Sequence, residues 1–197
     1  MKKLILASNN PKKLIELREI LSDVNVEIVS QRDAGCDFEV DETGETFEEN
    51  AYLKAIAVTE ATGFPAVADD SGLVVDALGG APGVFSARYG GSHDGSDEFR
   101  FSLLLRNMES SENRSARFVS CICCTMPDGT VLRTRGECEG KILIAPRGSG
   151  GFGYDPVFEV SGTAKSMAEL TATEKNLISH RGKALKKFKE LLKEFGE

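Results

Sequence analysis

Two adjacent carboxylates, Asp69 and Asp70, follow a small apolar run in "AVADDSG". If the backbone stays extended there, their side chains diverge to opposite faces. One can then ligate a cation while the other holds a helix or a lysine. A second acidic group precedes a helix in "DETGETFEEN". Glu48 and Glu49 suit the positive end of that helix. Asp41, Glu42 and Glu45 are left over, and Lys54 lies one turn beyond Asn50 on the same face. Carboxylates beside a lysine are either surface ion pairs or a metal and phosphate site. Oxygen donors without a histidine cluster favour magnesium, with manganese as a substitute, over zinc. The alternative for Asp-Asp-Ser-Gly is a turn, for which those residues are suited.

Cations sit where helix starts disfavour them. "SNNPKK", Ser8 to Lys13, joins a strand to a helix and puts Lys12 and Lys13 in the first turn. Lysines beside free backbone N–H groups make an anion site, phosphate above all; alternatively they are two solvated lysines. The glycine pattern of a P-loop is absent. "SHRGKAL" repeats the anomaly: Ser179 can cap the last helix and place His180, Arg181 and Lys183 at its positive end. Two such starts point to one polyanion. "RGSGGFGYDP" contains G-x-G-x-x-G, but a short strand follows it instead of a helix, which rejects a dinucleotide site. What remains is a loop, or a lid whose Phe152 stacks on a base.

The elements that must position these groups are legible. "KLILAS" reads as a buried strand. A helix follows, with Asn10 as cap, Pro11 in its first turn and a Leu14, Leu17, Leu21 stripe. "NVEIVS" is a strand. Thr46 and Glu49 form a capping box for a second helix that Gly63 and Pro65 stop. Then come strand "AVAD", a turn, strand "LVVDAL" and helix "SDEFRFSLLLRNM". Strands "ARFVSCICCTM" and "VLRTRGECEGKIL" flank the turn Pro127-Asp128-Gly129, and "DPVFEV" is a short strand. A closing helix shows Ala184, Leu185, Phe188, Leu191, Leu192 and Phe195 at helical spacing. Strand–helix alternation followed by an antiparallel stretch predicts an α/β fold with a mixed sheet.

The 197 residues suit one large domain or two intimate lobes, and no separable linker appears. With 41% hydrophobic and 28% charged residues the composition is that of a globular protein, and no apolar run is long enough to span a membrane. The opening "MKKLILASNN" reads as mature protein and predicts a cytoplasmic address. A net charge of −7 disfavours broad nucleic-acid binding. Cys121 and Cys124 have C-x-x-C spacing, but on a strand they face opposite sides, so the five cysteines read as buried free thiols.

Taken together, Ser8–Lys13, "FEENAYLKA", "ADDSGLVVDALGGAPGVFSARY", "GGFGYDP" and "SHRGKAL" resemble the inosine triphosphate pyrophosphatase family, the non-canonical purine nucleoside triphosphate pyrophosphatases. One mild departure is Ser8-Asn9-Asn10, where the family usually has Thr-Gly-Asn. The resemblance implies an elongated mixed sheet, with flanking helices forming two lobes around a cleft, and a homodimer. It implies magnesium-dependent hydrolysis of ITP, dITP or XTP to the monophosphate and pyrophosphate. By resemblance, Ser8, Asn9, Asn10, Lys12, Lys13 and Lys54 contact phosphate. Glu42 and Asp70 hold the metal, Asp70 is the proposed base, and Asp69 engages a lysine. Ser71, Phe152, Gly153, Tyr154, Asp155, Lys175, His180 and Arg181 contact the nucleotide, with Lys175 and Arg181 donating to a 6-keto oxygen. Two other readings stay open: a Maf-like nucleotide pyrophosphatase of other base preference, and a non-catalytic nucleotide-binding module.

Overall fold

The computed structural model describes residues 2–91 and 96–194. Six strands, β1 (Lys2–Leu6), β2 (Val26–Ser30), β3 (Ala66–Val75), β4 (Ser115–Thr125), β5 (Val131–Ile142) and β6 (Phe158–Val160), form one sheet in the order β2-β1-β3-β4-β5-β6. β1 pairs in parallel with both β2 and β3, while β5 and β6 are antiparallel, so the sheet is mixed. The helices are α1 (Pro11–Ile20), α2 (Phe47–Thr62), α3 (Asp97–Asn107), α4 (Ala172–Ile178) and α5 (His180–Glu194). The mixed α/β architecture read from the sequence is therefore present.

Local chemistry explains the helix ends. The Asn10 side chain accepts from the N–H groups of Lys12 and Lys13, capping α1. Thr46 and Glu49 close a capping box on α2, and Gly63 ends that helix at φ +69°. Three expectations change. The turn at Asp69–Gly72 is absent; β3 runs unbroken from Ala66 to Val75 because Leu73 and Val75 must be buried, and burial outweighs local turn preference. "DPVFEV" begins as a 3-10 turn over 155–157 and becomes a strand only at Phe158, since Pro156 cannot donate to a ladder. The closing helix is preceded by the separate α4; Ser179 between them is extended, at φ −67° and ψ 158°. Phe195, read as part of the last apolar stripe, lies outside the described residues.

The chain divides into two compact units, Met1–Asp70 with Ser120–Gly136 and Arg181–Glu197, and Ser71–Val119 with Glu137–His180. In the first, strand alternation creates two cores. Leu4, Leu6 and Val67 pack with Leu17, Leu21, Leu185 and Phe188 from α1 and its flank and from α5. Ile5, Ala7, Ala66 and Ala68 pack with Ala55 and Val58 of α2. The second unit is built around Leu73, Val75, Leu104, Met108, Phe118, Val157 and Phe158. All five cysteines are free and buried, and burial pushes the Cys123 thiol up to about 11 and Cys124 to about 12. Among the described residues no helix is long and apolar enough to cross a membrane.

Gly140 shows how tightly the second unit closes. A Cβ there would lie 2.2 Å from the Glu159 carbonyl oxygen and 2.5 Å from Phe158 Cζ. Gly140→Ala must therefore displace β6 or the Phe158 ring. The expected loss is about 1–3 kcal/mol, the usual range for overpacking. Thermal unfolding checks it, and an unchanged midpoint would show that β6 yields without cost.

Candidate active site

Period-two alternation places the two aspartates. Residues 67 and 69 of β3 share the face that α1 and α5 cover; residues 66, 68 and 70 share the face that α2 covers. Asp69 accordingly meets Arg181 of α5 and Lys13 of α1. Its Oδ2 accepts from Arg181 Nε at 2.7 Å and lies 3.3 Å from Lys13 Nζ. Its Oδ1 accepts from Ser120 Oγ at 2.8 Å. Arg181 Nη1 donates to Glu16 Oε2 at 2.9 Å. Asp69 and Arg181 are both buried. Burial alone would raise the Asp69 carboxyl, but the Arg181 and Lys13 charges outweigh it and hold the group well below the usual carboxylate range. Arg181 is held above its own usual value because Asp69 and Glu16 outweigh its desolvation.

Asp70, on the other face, meets Lys54 of α2. Lys54 Nζ donates to Asp70 Oδ1 at 2.5 Å and to Glu42 Oε1 at 2.8 Å. Desolvation raises the Asp70 carboxyl and Glu42 adds to the rise, against the pull of Lys54 and Lys13. Desolvation opposes the Lys54 charge, yet Asp70 and Glu42 raise its pKa overall. The two lysines converge: Lys13 Nζ donates to the Asp69 carbonyl at 2.9 Å and Lys54 Nζ to the same oxygen at 3.4 Å. Lys13 is held below its ordinary value, first by desolvation and then by repulsion from Lys54 and Arg181, with Asp69 opposing. Two converging ammonium groups beside carboxylates can bind a polyanion and hold a water near it.

Glu42 and Asp70 reach one cation, the Lys54 ammonium, from two sides. Among the described residues no group of three or more His, Cys, Asp or Glu could hold a metal unaided. Two hard oxygen donors without a closed protein cage fit a divalent ion that keeps water and phosphate oxygens in its shell.

The residues expected from the first turn divide. Ser8 Oγ accepts from the Asn10 N–H at 3.1 Å, and Asn10 Oδ1 accepts from the Lys12 and Lys13 N–H groups at 2.9 and 3.4 Å. Two N–H groups read as free for an anion are thus engaged by the cap. Asn9 and the Lys12 side chain are exposed, and Ser71 is half-buried on β3.

In the second unit a loop carries its own cluster. Lys175 Nζ donates to Asp155 Oδ2 at 2.7 Å and lies 4.6 Å from the Phe152 ring centroid. Asp155 Oδ2 also accepts from the Phe152 N–H at 2.9 Å, and Asp97 Oδ2 accepts from the Gly153 N–H at 2.7 Å. Gly151, at φ +75°, makes room: a Cβ there would fall 2.0 Å from Asp155 Oδ2. The Tyr154 side chain belongs to the core, its hydroxyl donating to the Ser86 carbonyl at 2.9 Å. The His180 ring is buried and stacks on Phe118 at 4.8 Å. Arg181, expected to read a base, is committed through two of its nitrogens to Asp69 and Glu16.

Sequence reasoning missed Ser120, Glu16 and Asp97. Ser120 shares strand alternation with the buried Ile122 and Cys124, and Glu16 lies one helical turn from Lys13, so both had a signal. Asp97 stands in the first turn of α3, a position with no local sign of its bond to the Gly153 N–H.

These features define an α/β protein that gathers cations and carboxylates around the end of a run of small apolar strand residues, the make-up of a phosphate-handling protein. Residues 4–191 match the Ham1 family, and the chain belongs to that family. It is 48% identical over 198 residues to a dITP/XTP pyrophosphatase of Streptomyces coelicolor, covering 98% of each chain. It is 51% identical over 187 residues to a dITP/XTP pyrophosphatase of Gloeobacter violaceus, covering 95% of this chain and 92% of that one. A HAM1 protein from Coxiella burnetii superposes with a TM-score of 0.93 at 42% identity, covering 98% of this chain and all of that one (100%).

Asp69→Asn removes the partner charge of a buried guanidinium. The expected loss is about 3–5 kcal/mol near neutral pH. Because the folded pKa of Asp69 lies below its ordinary 3.8, its contribution is complete above about pH 5 and is lost as pH falls. The stability gap between wild type and variant should therefore narrow on going from pH 7 to about pH 3, below the unfolded-state value. Urea unfolding at both values measures it, and a gap that widens in acid contradicts this account.

Proposed function

We propose that this protein hydrolyses non-canonical purine nucleoside triphosphates, dITP and XTP among them, to the monophosphate and pyrophosphate. The observation that carries the reading is the convergence of Lys13 and Lys54 on the Asp69 carbonyl beside the Asp70 carboxylate. The named activity of the Streptomyces coelicolor and Gloeobacter violaceus relatives, at about half identity over nearly the full chain, supports the same substrate class.

Lys13 and Lys54 neutralise the triphosphate and the charge that develops on departing pyrophosphate. Asp70 orients a water and accepts its proton for attack at the α-phosphorus. Asp69 takes no proton; paired to Arg181, it holds Lys13 and the strand backbone in place. Glu42 and Asp70 are the residues that would hold magnesium, or manganese in its place. The ion supplies Lewis-acid neutralisation of phosphate oxygens when bound. Lys175, aimed by Asp155 and lying over Phe152, donates to the 6-keto oxygen of the base. Adenine presents an amino group there and leaves the donor unpaired. His180 and Tyr154 belong to the core of the second unit, and Arg181 acts in the first by holding Asp69.

The proposal treats residues 1–197 as a single catalytic domain and the assembly as a homodimer. Five free, buried thiols support a reducing compartment such as the cytoplasm.

Pyrophosphate release from dITP, XTP, ITP, GTP and ATP tests the reading. The expected kcat/KM for ITP exceeds that for ATP by at least ~10²-fold. Equal rates would remove base discrimination, preference for other bases would favour a Maf-like enzyme, and no release would leave a binding module. Asp70→Asn should lower kcat by at least ~10²-fold with the melting temperature preserved. Near-wild-type turnover of that variant at saturating magnesium would remove Asp70 from the chemistry.

A further inference from the structure

Lys54 occupies the place where a divalent ion would neutralise Glu42 and Asp70. Its ammonium is 2.8 Å from Glu42 Oε1 and 2.5 Å from Asp70 Oδ1, and all three side chains are largely covered. A third donation, at 3.4 Å, goes to the Asp69 carbonyl. Three N–H groups on one ammonium have three acceptors within reach. A metal ion cannot enter between the same carboxylates while that cation stays, because two positive charges would crowd one desolvated space.

We propose that Lys54 is an internal competitor for the metal site, released when a polyphosphate draws its ammonium away from Glu42 and Asp70. The inference rests on the proposed function for the identity of the incoming anion. It adds an order of events: the nucleotide frees the carboxylates, and metal binding follows or accompanies it. The wild-type protein then binds metal weakly by itself. A site open a tenth of the time or less loses at least ~10-fold in apparent affinity. The stored cation also keeps Glu42 and Asp70 from facing each other uncompensated. Without a competitor, these acids would hold metal whether or not substrate was present. With one, metal and nucleotide affinities are coupled, each tightening the other.

The test is manganese binding without nucleotide, read from the free-ion electron paramagnetic resonance signal and by calorimetry. Lys54→Met should bind manganese at least ~10-fold more tightly than wild type. Lys54→Arg restores a cation that can bridge two carboxylates and should return binding to the weak wild-type level. The double variant Lys54→Met with Glu42→Gln should lose the gain. Circular dichroism confirms folding, and Lys54→Gln serves if the methionine variant unfolds. Equal affinity in wild type and Lys54→Met overturns the proposal, as does absence of manganese binding in every folded variant. Failure of base-selective pyrophosphate release would sink the proposed function without altering these metal affinities, so the two failures are distinguishable.

Discussion

A covered guanidinium from α5 meets a covered carboxylate from β3, and the charged groups of the first unit are arranged around that pair. Taking two charges out of water costs several kcal/mol each, so they are tolerable only when their bonding capacity is used. Here it is: Ser120 and Lys13 take the remaining Asp69 positions, and Glu16 takes a further Arg181 nitrogen. Four elements, α1, β3, β4 and α5, are thereby held to one point. The carbonyl of the same Asp69 then receives both lysines, so the pair sets where the positive charge converges.

Adjacent residues do different work because a strand alternates. Asp69 faces α1 and α5 and is locked in its ion pair; Asp70 faces α2 and stays in reach of Lys54 and Glu42. Their environments push the two carboxyls apart, one strongly acidic and the other raised by burial. That separation leaves a carboxylate that stays charged beside one that burial moves toward its neutral form. A turn at this point would have destroyed the arrangement, and the burial of Leu73 and Val75 further along β3 is what forbids it.

The second unit holds a glycine-rich loop whose Phe152 ring lies beside Lys175 of α4. Asp155 and Asp97 each accept a backbone N–H of the loop, and Gly151 admits the Asp155 carboxylate at a distance no side chain would allow. A loop fixed by two carboxylates at two successive residues, Phe152 and Gly153, loses little further freedom on binding. Of the glycines that mimic a dinucleotide fingerprint, Gly148 and Gly150 serve close packing, since a Cβ on either would fall 2.8 Å from Ala168, while Gly153 has open space and a positive φ of 63°.

By itself the sequence determined what local physics can determine. Asn10, the Thr46–Glu49 box and Gly63 mark helix ends because their effects reach only three or four residues. Apolar runs marked β1, β4 and the start of β3, but whether the chain stayed extended through Asp69 and Asp70 or turned there was left to the fold. The family likeness named the candidate residues. Tertiary structure decided their partners. Asp69 and Arg181 are 112 residues apart, and nothing local says that this arginine is spent on a carboxylate. The same holds for Lys54 between Glu42 and Asp70, for Ser120, and for Asp97 on the loop. Which charge meets which depends on where whole elements pack, and packing is set by burial summed over the core, a quantity no short window of sequence contains.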